Sequence, residues 1–115
     1  MKLLTKEIER KLRANHKATI EAGINKPDHK PAVKYFSPVG AATWLITEID
    51  QDNIMFGLCD LGMGYPELGY VSLEELADIK FMGGRLGIER DLYSKFTEPL
   101  SHYVSEASRV GYIKA

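Results

Sequence analysis

Five residues make the best chemical constellation in this sequence: Asp60, Glu67, Glu89, Arg90 and Asp91. Carboxylates beside a guanidinium can hold a polar ligand or move a proton. Strand parity sharpens the reading. If Leu86, Ile88 and Leu92 face the core, Arg90 faces it too, and Asp60 shares a face with Phe56 and Leu58. An inward guanidinium without a carboxylate costs far too much, so Arg90 is expected to pair with Asp60 or Glu67. In the alternative, Arg90 lies at a strand end and its head reaches water over an apolar stem. Tyr70 or Trp44 beside such a cluster would mark the first place to look for a ligand.

Other chemistries have less support. His16, His29, His102 and Cys59 are the soft or borderline ligands, and no two lie at the short spacing of zinc sites, so neither metal nor cofactor is expected. Cys59, on an apolar strand, reads as a small hydrophobe rather than a nucleophile. Ser37, Ser72 and Ser101 fall at a turn, a cap and a helix start. The Gly62-Met63-Gly64 turn leads through Pro66 into a strand, whereas a phosphate loop opens into a helix, and the Walker Lys-Ser/Thr pair is missing. Lys6, Arg10, Lys11, Arg13 and Lys17 lie along the first helix. They read as a solvated amphipathic face or, alternatively, as a phosphate-contacting one, but Glu7 and Glu9 dilute them and no helix-turn-helix, zinc-finger or aromatic RNP pattern accompanies them.

The elements that must position these groups follow from periodicity. Thr5 is a helix N-cap, with Leu4, Ile8 and Leu12 as the stripe, and the helix ends between Asn15 and Gly23. Residues 23–31, with two prolines, form a surface loop. Strands are predicted over 33–36, 42–49, 54–60 and 67–71, with a hairpin at Asp50-Gln51-Asp52-Asn53. Both faces of 54–60 are apolar, which makes it central. Ser72-Leu73-Glu74-Glu75 is a capping box and Val71 with Leu76 a hydrophobic staple, so a short helix starts at Ser72. Residues 86–92 suggest a fifth, edge strand, and a last helix starts from Thr97 and stops at Gly111. The fold class is α+β: an antiparallel meander of four to five strands with an N-terminal, a short middle and a C-terminal helix, in one domain over 1–115.

Composition bounds the function classes. The chain has 115 residues, 44% hydrophobic and 27% charged, too short for two conventional domains and too apolar for a disordered tail. It has no 18-residue apolar run to span a membrane. Met1 to Glu7 cannot serve as a signal-peptide core, and the single cysteine fits a reducing compartment, so a cytoplasmic location is expected. The net charge of −1 conceals a division: residues 1–36 are +5, residues 37–79 hold eight acids and no base, and residues 80–115 are +2. Either basic helices pack beside an acidic sheet and the fields cancel, or one face steers a charged partner.

Five segments then resemble one family: Lys34-Tyr35-Phe36-Ser37-Pro38, Thr43-Trp44, residues 56–62 (Phe-Gly-Leu-Cys-Asp-Leu-Gly), residues 67–76 around Glu67-Leu68-Gly69-Tyr70, and Gly87-Ile88-Glu89-Arg90-Asp91-Leu92. Over about residues 30–101 the chain resembles the DUF2958 proteins, a small bacterial family of unknown function. The resemblance implies a bacterial host and carriage on plasmids, phages and integrative elements. It implies no reaction. Glu67, Tyr70, Glu89, Arg90 and Asp91 match the family's polar positions. Together these readings lead to a non-enzymatic accessory protein that binds a macromolecule, a protein above all, one version being an antirestriction or anti-CRISPR inhibitor of a host defence nuclease. The alternatives are a small enzyme or ligand-binding domain built on the carboxylates around Arg90, and a DNA-binding protein using the first helix. A pocket lined by the carboxylates would favour the enzyme, and a flat acidic surface the binder.

Overall fold

The structure, a computed structural model, describes residues 2–115. Its elements run α1 (Lys6–Ala22), β1 (Val33–Phe36), β2 (Thr43–Ile49), β3 (Ile54–Asp60), β4 (Glu67–Ser72), α2 (Leu73–Asp78), β5 (Lys80–Phe81), β6 (Leu86–Gly87), β7 (Glu89–Arg90) and α3 (Leu100–Val110). The predicted α+β class holds. Strands β4, β3, β2, β1 and β7 lie in that order in one antiparallel sheet, and β5 pairs with β6 in a small ribbon.

Local chemistry explains the boundaries. The Thr5 side chain accepts from the Ile8 amide, and Ser72 accepts from the Glu75 amide, so both predicted N-caps form. The hairpin at 50–53 is held by Asp50, whose Oδ1 accepts from the amides of Asp52 (2.8 Å) and Ile54 (3.0 Å). Gly62 and Gly64 adopt φ of +82° and +88° in the β3–β4 connection, which confirms them as turn glycines.

Two corrections concern the C-terminal third. The segment 86–92 is not one strand: buried Ile88 separates β6 from β7, and Leu92 is 57% exposed rather than in the core. Helix α3 starts at Leu100 rather than Thr97, because Pro99 is extended and the first helical amides are satisfied from the 23–31 loop. Leu100 N donates to the His29 carbonyl at 2.8 Å and Ser101 N to Asp28 Oδ1 at 3.2 Å.

The sheet has two covered faces. Tyr35, Trp44, Ile46, Ile49 and Met55 form one, packed with Leu12 of α1 and Leu76 of α2. The Tyr35 hydroxyl donates to the Leu3 carbonyl at 2.7 Å, and burial pushes its pKa above the ordinary phenol value, against a weaker pull from Arg90. Leu45 and Leu58 form the other, against Leu100, Ala107 and Ile113. The β2–β3 register shifts between Ile46, opposite Gly57, and Glu48, opposite Phe56. This bulge at Thr47 moves Glu48 off the Trp44 and Ile46 face and brings Ile49 onto it.

Candidate functional site

The tertiary structure separates the predicted polar cluster. Arg90, Tyr35, Trp44, Cys59 and Glu67 occupy one row across the sheet, with Arg90 at one edge and Glu67 at the other. Four strand spacings put them about 19 Å apart. Asp60 lies in the next row and points to the opposite face. Arg90 therefore pairs with neither. Arg90 shares a row with buried Tyr35 but ends β7, and its Nη1 donates at an exposed position to the Lys2 carbonyl at 2.5 Å, so backbone at the N-terminal segment supplies an acceptor.

Each remaining member has its own role. Asp60 is 2% exposed, and its two oxygens accept from the amides of Gly62 (2.8 Å) and Ile113 (3.0 Å), which makes it a structural tie. Asp91 accepts from the Tyr93 amide at 2.8 Å. That bond first, and then one with the Ser94 side chain, holds its carboxyl below the usual carboxylate range, with Lys34 at 3.7 Å. Glu89 and Arg90 lie together on the two-residue edge strand β7, half-buried. Glu67 and Tyr70 are exposed on β4, on opposite faces of the sheet.

Cys59 lies in the same row as Trp44 and Glu67, and burial pushes its thiol up to about 11. At neutral pH the thiolate fraction is then on the order of 100-fold below that of a free thiol. Alkylation by iodoacetamide at neutral pH should be slower than that of glutathione by the same order. Labelling at the free-thiol rate would show the sulfur to be open to water.

The acidic middle third is only partly a surface. Glu48 and Asp60 are buried and Asp50 builds its turn. Asp52, Glu67, Glu74, Glu75 and Asp78 remain exposed. Glu67 starts β4; Glu74, Glu75 and Asp78 follow it on α2, whose Leu73 amide donates to the Asn53 carbonyl beside Asp52. These acids therefore bracket the two ends of β4. In the basic helix, Lys6, Arg10, Lys11 and Lys17 are exposed, whereas Arg13 binds Glu9 (2.8 Å), the Asp50 carbonyl (2.7 Å) and Asn53 Oδ1 (2.8 Å). Arg13 is thus committed to clamping the β2–β3 turn.

Two features emerge that strand parity could not reveal. β4 is an outer strand of six residues with Leu68 50% and Tyr70 75% exposed, followed in space by Leu61, Met63 and Tyr65 of the preceding turn. Those side chains, with Cys59 and Glu67, line a hollow of about 480 Å³. On the α3 face, Glu48, Phe56 and Tyr70 form a second cross-strand row, under a cleft of about 510 Å³ walled by His16, Thr19 and Ile20 of α1. Only the exposed apolar residues of the β3–β4 turn signalled the first, and the bulge that creates the second leaves no mark in the alternation pattern. Among the described residues, no three His, Cys, Asp or Glu side chains gather as a metal site, and no helix is long and apolar enough to cross a membrane.

Neither the curated proteins nor the solved structures offer a match to this chain. The sequence model of the proteins of unknown function DUF2958, by contrast, matches residues 3–114 and so takes in α1, the whole sheet and α3. With that match spanning the N-terminal helix as well as the motifs of the middle and C-terminal strands, the chain belongs to the DUF2958 family.

Proposed function

We propose that this chain is a non-enzymatic cytoplasmic protein that binds another protein, receiving an extended segment rich in lysine or arginine along the outer edge of β4. The observation that carries the reading is that edge itself. An outer strand offers a row of backbone donors and acceptors, and proteins usually blunt such an edge with lysine, proline or shortness. β7, at the opposite edge, has two residues; β4 has six and contains neither lysine nor proline. Strand addition would be backed by the apolar groups of Leu61, Met63, Tyr65 and Leu68. Charge selects the occupant: no base lies within residues 37–79, and acids flank both ends of β4. A second copy would set Glu67 and the acids of α2 against their own kind, whereas a basic segment complements them. In the mobile-element setting the family resemblance suggests, a basic nucleic-acid-contacting strand of a host nuclease has the required chemistry. The carboxylates around Arg90 support an enzyme less well, since they lie on two faces and two edges.

A peptide of alternating lysine and valine tests this. Titrated into the labelled protein, it should shift the amides of residues 67–72, with affinity falling as salt rises. The double variant Glu67→Lys/Leu68→Lys should weaken it about tenfold or more. Equal binding by the glutamate-valine counterpart, or shifts confined to other elements, would overturn the proposal.

A further inference from the structure

We infer that the cleft over the Glu48–Phe56–Tyr70 row is a binding site for an organic cation, an ammonium or guanidinium group carried on an apolar body. This goes beyond the β4 edge and uses the α3 face of the sheet rather than its rim. The floor is aromatic, with the Phe56 and Tyr70 ring centroids 5.1 Å apart and the rings tilted by 52°. Ring faces attract cations, and the attraction grows where water is excluded. At the inner end of this floor stands Glu48, 9% exposed as a residue. A carboxylate so far from water calls for a positive partner. The ion-pair partner it has among the described residues is His16, whose Nδ1 lies 3.3 Å from Oε1 and which neutralises it only when protonated. Thr19, further along the same helix, is bonded to His29 Nε2 at 2.9 Å, and His29 lines the adjoining hollow together with Glu48.

The mouth supports the same reading. Ile20 is 66%, Ile24 98% and Tyr70 75% exposed, an apolar rim around a charged interior. The base in the lining, Lys26, is exposed on the 23–31 loop, and Asp50, also in the lining, is spent on its turn. A smaller hollow of about 190 Å³ adjoins, sharing Pro27, Glu48 and Phe56, and extends the site toward Leu100 and Val104 of α3. The bulge at Thr47 is what creates the arrangement. In regular alternation Glu48 would lie with Trp44 and Ile46; the extra residue turns it to the α3 face in line with the two rings.

The cation could be a free amine or an arginine side chain of a bound protein, and two probes separate these sources. Phenethylammonium represents the first and N-acetyl-arginine-methylamide the second. Titration into the labelled protein should shift the amides of His16, Thr19 and residues 47–50 with at least one of them. Phenethylammonium binding should exceed that of its neutral isostere 2-phenylethanol about tenfold. Glu48→Gln keeps the shape and removes the charge, and should erase that preference. Tyr70→Ala, at an exposed position where folding is little affected, should weaken the cation several-fold, which keeps the test informative if Glu48→Gln unfolds. Absence of shifts at millimolar concentration with both cations, or equal binding of the neutral isostere, would overturn the inference. The Glu67→Lys variant, on the opposite face of the sheet and outside both hollows, should leave this binding intact, so the fate of the edge proposal is read separately.

Discussion

Gly57→Ala should cost at least about 3 kcal/mol of stability, more than the usual core overpacking penalty. A Cβ built at Gly57 falls 1.9 Å from the Leu45 carbonyl oxygen and 2.9 Å from Ile46 Cα. Both are backbone atoms of the neighbouring strand, so no side chain can rotate away, and β2 itself must move. Gly57 pairs with Ile46 at the last position before the register shift, which means the displacement acts directly on the bulge. Urea unfolding measures the loss, and a change below about 1 kcal/mol would mean that β2 yields easily. The control is its own register partner. A Cβ at Gly69 meets nothing within 4 Å, so Gly69→Ala should be neutral or slightly stabilising. Two glycines facing each other across one ladder should thus differ by several kcal/mol, because one is shaped by a close approach and the other lies on an open edge strand.

Asp60→Ala should lower stability by about 3 kcal/mol, because two amides lose their acceptor inside the protein. Asp60 Oδ1 holds Gly62 at the β3–β4 turn, and Oδ2 holds Ile113, 53 residues further on. The second bond fastens the C-terminal segment, where Ile113 packs with Leu45 and Leu58 and where the Ala115 carbonyl accepts from Lys34 Nζ at 2.7 Å. The variant should therefore expose the amides of residues 111–115 to hydrogen exchange before the rest of the sheet opens. Asp60→Asn should fall between the two, since a carboxamide keeps one acceptor oxygen and sets an N–H against the other donor. If Asp60→Ala unfolds at the wild-type midpoint, the tie is not a stabilising one. This places Asp60 in the architecture of the fold rather than in a binding cluster.

Much of the fold was legible without coordinates because its signals are local. Thr5 and Ser72 cap helices by reaching amides three residues on, and Asp50 closes its hairpin by reaching amides two and four residues on. The central position of β3 could be read from its two apolar faces, and the sharing of a face by Phe56, Leu58 and Asp60 from simple alternation. The partner of Arg90 could not be read from the same rule, because parity fixes a face and says nothing of how many strands lie between two residues on it.

The sequence by itself thus determined the order of elements from α1 through α2, the caps of those two helices, the turn glycines, the parity of uninterrupted strands and the confinement of all bases outside residues 37–79. The tertiary structure alone decided which strand became the open edge, that Glu89 and Arg90 lie four strands from Glu67, that Ile113 returns to Asp60, and that Glu48 faces two aromatic rings. The physical reason is the range of the forces involved. Caps, turns and alternation are settled within a few residues of backbone, whereas a register shift is settled by the fit of two strands against each other and against the helices that cover them, and one extra residue in that fit redirects every side chain beyond it.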